Sequence, residues 1–275
     1  MRQPIVGVLA ACAIAFFLEW LDARMNQRTP RFAGSTANLV NFLPPCIIPG
    51  LACAMLIYSN SGLAPIVFAA ALSLASKVLF RAPIGNGQTQ HIFNPSNFGI
   101  TVTLLLLPAA GLAPPYQFTE NVTGLGHWLI PAVILVTGTI IHARFTGRLP
   151  LVLAWFFGFA AQALVRKMVF GMPLAVPFLP MTSAGFILFS LYMIPDPATT
   201  PIKPARQVAF GLSVATIYAL LLVVHVVYGL FFALALTSAT RGLSLHAYAL
   251  LKRKRAPKVE AVEQARIPAT AEVAR

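Results

Sequence analysis

The sequence is a series of long apolar runs separated by short polar breaks. Ile5 to Leu21, Leu39 to Tyr58, Leu63 to Phe80, Asn97 to Leu112, Trp128 to Ile141, Leu149 to Val165, Phe178 to Ile194, Val208 to Val224 and Leu230 to Leu250 are each close to the ~20 residues a bilayer-spanning helix needs. Soluble proteins bury apolar residues on amphipathic helices whose other face is charged, and most of these runs lack such a face. Across the 275 residues 58% are hydrophobic and only 10% are charged. The pattern predicts an all-α polytopic membrane protein with about nine transmembrane helices and broken or re-entrant segments between some of them. Residues 1–250 form the transmembrane domain, and residues 251–275 form a basic and then disordered tail, with no periodicity from Ala256 onward.

Two boundaries need a choice. Val208 to Leu243 is too long for one span and offers only His225 and Gly229 as a break, so it reads as a tight hairpin of two helices. Met1 to Trp20 meets Glu19, Asp22 and Arg24 with no small-residue cleavage site, which favours a retained helix over a removed signal peptide. Cys12, Cys46 and Cys53 lie in or beside apolar runs, where cysteine behaves as a small hydrophobe. Cys46 and Cys53 could share a helix face as half of a metal or iron-sulfur site, but two thiolates do not complete one.

The net charge of +13 does not imply nucleic acid, because the basic residues sit in short clusters at the breaks and after the last run. Nine helices place Arg24, Arg28 and Arg31, then Lys77 and Arg81, Arg144 and Arg148, Lys203 and Arg206, and Lys252 to Arg255 on one side. By the positive-inside rule that side is cytoplasmic, with the C-terminus inside and the N-terminus outside. Arg166 and Lys167 are the exception. An N-out start without an exported domain suggests a chain lacking a first helix that its relatives have.

Two breaks carry chemistry-bearing residues. Arg81 to Gly99 reads RAPIGNGQTQHIFNPSNFG, which places His91, Asn94, Pro95, Ser96 and Asn97 directly against an apolar run. Pro95 removes a backbone donor, so a helix is expected to begin near Asn97 after a broken or re-entrant stretch. Helix N-termini at membrane depth attract polar ligands and anions, so this break reads either as the wall of a ligand or ion cavity or as a plain helix cap at the membrane surface. The second break, Met193 to Pro201, reads MIPDPATTP. Asp196 is one of seven acidic residues and stands among prolines, with Thr199 and Thr200 adding hydroxyls. An acid here is either solvated at the interface or buried and functional. Paired Pro-broken helices in two related halves often meet near the midplane of transporters, and Asn94-Pro95 and Asp196-Pro197 have that arrangement. His127, His142, His225 and His246 lie at run boundaries without a second ligand at helical spacing, and read as interfacial residues rather than metal ligands. There is no phosphate loop, nucleophile elbow or zinc motif, and no catalytic constellation.

HIFNPSNFG and YMIPDPATTP together resemble the RnfD/NqrB family, the membrane subunit shared by Rnf-type electron transport complexes and the sodium-pumping NADH:quinone oxidoreductase. The resemblance spans about Leu39 to Leu243. FLEWLDAR at Phe17 to Arg24, PPYQFTENVTG at Pro114 to Gly124 and DPATTP at Asp196 to Pro201 are similar to the stand-alone branch found beside enediyne biosynthesis genes, often called UnbU. The resemblance implies about ten helices with an inverted repeat, a bacterial inner-membrane location, partner subunits and a flavin. Members of the family attach flavin mononucleotide to the threonine of Ser-Gly-Ala-Thr. This sequence has no such motif: Thr123 lacks its neighbours, and Ser238-Ala-Thr240 lies in another region. The expectation is therefore a non-covalent FMN or riboflavin near His91, Asn94, Pro95, Ser96, Asn97, Asp196, Thr199 and Thr200. The competing expectations are a small-molecule transporter on the same fold, linked to enediyne biosynthesis or export, and a scaffold subunit whose polar breaks only position partner helices.

Overall fold

The computed structural model describes residues 2–60, 62–85, 87–113, 122–173 and 175–264. Most of it is helical, and a helix occupies each of the nine apolar runs. The order is α1 (Arg2–Met25), α2 (Thr36–Phe42), α3 (Pro44–Leu56), α4 (Ala64–Leu79), α5 (Pro95–Leu106), α6 (Gly126–Ile140), α7 (Leu149–Phe170), α8 (Ala175–Phe178), α9 (Ala184–Leu188), α10 (Pro204–Val223) and α11 (Gly229–Gln264). Among the described residues, five helices are long and apolar enough to cross a membrane, or six if the pair 175–182 and 184–193, bent by 73°, is one span. The chain is therefore a multi-pass helical membrane protein. Helices α4 and α5, of 16 and 12 residues, would rise only ~24 Å and ~18 Å at 1.5 Å per residue, short of the ~30 Å hydrocarbon core.

Four short strands depart from the all-helical expectation. β1 (Ile57–Ser59), directly after α3, pairs antiparallel with β4 (Ala110–Leu112), which follows α5. β2 (Arg81–Gly85) and β3 (Gln88–His91) form a hairpin between α4 and α5, with Arg81 opposite His91 and Ala82 opposite Gln90. Both pairs sit at helix ends, where a broken span leaves backbone groups that need partners. The chain turns between α10 and α11 at His225, whose φ of 61° is left-handed, and Val226 N closes the turn on Leu221 O at 2.9 Å. Helix α11 runs on to Gln264, past Pro257 and beyond the end expected at Leu250. Residues 265–275 of the expected tail, most of PPYQFTENVTG including Asn121, and the side chain of His127 lie outside the described residues.

Packing follows the logic of helices in lipid, where close backbone approach replaces the hydrophobic drive. Helix α1 crosses α3 at Gly7 and Gly50, where a Cβ on either would meet the other's carbonyl oxygen at 2.7 or 2.6 Å. Helix α5 crosses α4 at Gly99, where a Cβ would lie 2.2 Å from Ala69 O. The main core lies beyond these crossings. Trp155 and Phe159 of α7 pack on Phe186, Phe189 and Tyr218, with the Phe159 and Tyr218 rings stacked at 5.6 Å, and Trp155 Nε1 donates to Ser190 Oγ at 2.9 Å. At the end of α1, Arg28 Nη1 donates to Glu19 Oε1 at 2.5 Å and also pairs with Asp22. The two carboxylates hold the Arg28 guanidinium above its ordinary pKa.

Candidate functional site

The first break is built by the β2–β3 hairpin and the start of α5. Arg81 Nε donates to Thr89 Oγ1 at 2.8 Å across the hairpin, and Phe80, Phe93 and Phe98 form an aromatic cluster that fixes its base. Helix α5 begins at Pro95, two residues before the expected Asn97, because Asn94 is the cap: its Oδ1 accepts from Asn97 N at 3.0 Å and from Ser96 Oγ at 2.9 Å. Proline suits the first helical position, where its missing N–H would have no intrahelical partner. The second break is a tight turn around Asp196. Its Oδ1 accepts from Ala198 N at 3.0 Å, and its carbonyl accepts from Thr199 N and Thr200 N at 3.1 Å each and from Thr200 Oγ1 at 2.7 Å. Arg148, just before α7, buttresses this turn by donating to Thr200 Oγ1 at 3.0 Å and Pro197 O at 3.3 Å.

The two breaks meet. Asn94 Nδ2 lies 3.4 Å from Asp196 Oδ2, and Gln90 Nε2 of the hairpin donates to Ala198 O, although 102 and 108 residues separate the partners. They form one end of a cavity of about 560 Å³ whose polar groups include His91, Asn94, Ser96, Asp196 and His142, and whose walls include Pro49, Leu51, Met55, Leu188 and Tyr192. Of the residues expected at the site, His91, Asn94, Pro95, Ser96 and Asp196 line this cavity. Asn97 turns away and donates to Phe231 O at 3.2 Å, tying α5 to α11. Thr199 and Thr200 are 2% and 1% exposed and hold the Asp196 turn from behind rather than facing the cavity.

His142 is the residue that reasoning from sequence missed. It is 4% exposed, with Nδ1 2.8 Å from Thr146 Oγ1 and Nε2 2.5 Å from Leu191 O. Both its own segment, Ile141–Thr146, and the facing one, Phe189–Met193, are π-helical, a distortion frequent at functional sites. The one signal in the sequence is a histidine at the inner end of an apolar run. Burial lowers the pKa of His91, and the nearby positive charges of Lys77 and Arg81 add to this, while the Asp196 carboxylate opposes it.

A second cavity, of about 660 Å³, opens from the same end of the molecule and is lined by Glu19, Asp22, Arg31 and Arg81. Pro45, Lys77 and His91 line both cavities, and Lys77 Nζ donates to Pro45 O at 2.6 Å across the junction. Clusters read from sequence as one side of the membrane gather at this end: Arg31, Lys77 and Arg81 share the outer cavity, and His246 of α11 contacts Arg81 O at 3.0 Å.

No protein-family model matches the chain, and no curated protein matches it. Among the described residues no three His, Cys, Asp or Glu side chains are grouped to hold a metal ion. Cys46 and Cys53 are both buried, and Cys53 Sγ is 3.2 Å from Ser73 Oγ. Thr123 is exposed.

Proposed function

We propose that the chain is the integral-membrane subunit of an Rnf/Nqr-like electron transport system in a bacterial inner membrane, holding a non-covalent FMN or riboflavin in the central cavity. The observation that carries this reading is the meeting of Asn94 and Asp196, one from each half, on a mostly apolar cavity with a polar end. The side chains present suit a flavin. Its ring needs flat apolar walls, which Met55, Leu188 and Tyr192 offer, and its pyrimidine edge needs donors and acceptors, which the Asn94 amide, the Asp196 carboxylate and the His91 imidazole offer. A bound flavin would supply one- and two-electron transfer. The chain's own residues would bind and orient it, exclude water from it, and keep one carboxylate at Asp196 beside an ion or proton route.

The resemblance supports an inverted repeat of nine to ten spans, with the 12-residue α5 and the bent pair before Asp196 as its broken members. The gathering of basic residues at one end supports a cytoplasmic face there and a cytoplasmic C-terminus. In this reading partner subunits would deliver the electrons. The test is to purify the protein from its native membrane and record its visible spectrum. A stoichiometric flavin band supports the proposal, and a colourless, monodisperse protein overturns it.

One observation favours a second reading, a small-molecule transporter. The two cavities share Pro45, Lys77 and His91, which makes a route from the basic end to the centre with the Lys77–Pro45 contact across it. In this reading enediyne export or self-protection is the natural role, and a colourless protein that moves a small apolar substrate across vesicles is the expected result.

A further inference from the structure

A third pocket lies away from the central cavity, between α10 and α11 at the basic end, with a volume of about 650 Å³. Its rim carries Lys203 and Arg206 at the start of α10 and Arg241 of α11, and its wall descends along α10 over Phe210 and Ile217. No acidic residue lines it. At this end several other cations have partners: Arg28 has Glu19 and Asp22, Lys77 has Pro45 O, Arg81 has Thr89, and Arg148 has Thr200. Among the described residues, the charged groups of Lys203, Arg206 and Arg241 have neither a hydrogen bond nor an ion pair. An anion seated in this concavity would meet three cations that have no other partner.

We infer that this pocket binds the phosphate headgroup of an acidic phospholipid. The shape of the pocket selects the lipid over a phosphate from solution, because the cationic rim continues into an apolar wall along the membrane-spanning helix α10, as headgroup and acyl chain require. The hydroxyls of Ser213, Thr237 and Thr240, residues that line the pocket, already donate to carbonyls of their own helices, which leaves them only acceptor capacity for a ligand. Acceptors beside a phosphate site suit a headgroup with hydroxyls of its own, as in phosphatidylglycerol. This inference is independent of the flavin reading, since the pocket shares no residue with the central cavity.

Native mass spectrometry of the full chain tests it, with phosphatidylglycerol and phosphatidylcholine of matched acyl chains titrated separately. Retention of the first adduct should favour phosphatidylglycerol by about tenfold or more, given three cations near a membrane surface. The Arg206→Gln/Arg241→Gln double variant should lose the preference, and Arg166→Gln, at the opposite end of α7, should keep it. Equal retention of the two lipids by the unaltered protein overturns the inference without reference to any variant. A folded double variant that keeps the preference overturns it as well. Displacement of the lipid adduct by millimolar glycerol 3-phosphate would assign the site to a soluble phosphate and overturn the lipid source.

Discussion

Replacing Gly99 with alanine adds one methyl group at the tightest crossing in the first half of the molecule. The new Cβ would stand 2.2 Å from Ala69 O and 2.3 Å from Ser73 Oγ, whereas ordinary contacts begin near 3.4 Å, so α5 and α4 must separate by about 1 Å. Overpacking of this kind costs ~1–3 kcal/mol, offset by the ~0.5–1 kcal/mol that alanine gains over glycine inside a helix, for a net loss of up to about 2.5 kcal/mol, and the 2.2 Å approach to backbone puts it in the upper part of that range. Asn94 is the cap of the same helix, so the shift also opens its 3.4 Å approach to Asp196. Gly185→Ala is the matched control, because its Cβ meets nothing within 4 Å and its φ is not left-handed. In detergent, Gly99→Ala should melt a few degrees below the unaltered protein, and Gly185→Ala should melt at or slightly above it. A Gly99→Ala protein as stable as the control would refute the backbone packing described for α4 and α5.

Other outcomes follow from single contacts. His91 has its pKa lowered on folding, so its contribution to stability is present above the ordinary ~6.5 and is lost as pH falls from there through the lowered value; His91→Gln should flatten that part of a melting-temperature profile against pH. Lys77→Met removes the contact to Pro45 O between the two cavities, and should raise access of a thiol reagent to a cysteine placed at Ser96, measured as a labelling rate. Trp155→Phe keeps most of the apolar contact but leaves Ser190 without its donor, a loss of about 1 kcal/mol detectable by thermal unfolding.

Much of this architecture was legible in the sequence because the bilayer imposes long apolar runs, and each run holds a helix. The pairing of Asn94 with Asp196 was also legible, since a Pro-broken helix with a polar cap is costly in lipid unless something faces it. The hairpin between α4 and α5 has a readable signal in Gly85-Asn-Gly87, a turn sequence flanked by residues that pair as strands. The burial of His142 was not readable. It depends on the facing carbonyl of Leu191, 49 residues away, and on two π-helical segments whose register no local pattern announces. The hydroxyls that make Thr199 and Thr200 site candidates in the sequence are consumed by the Asp196 turn and by Arg148. The shortness of α4 and α5 likewise comes from where the hairpin and β4 end them.

The central claim is that the two breaks form one flavin-binding cavity, and equilibrium titration of the purified protein with riboflavin and with FMN, followed by quenching of flavin fluorescence, tests it most directly. Saturable binding at one site per chain, weakened tenfold or more by both Asn94→Leu and Asp196→Leu, is the predicted result. Absence of saturable binding to the folded protein, or binding unchanged in both variants, would contradict it.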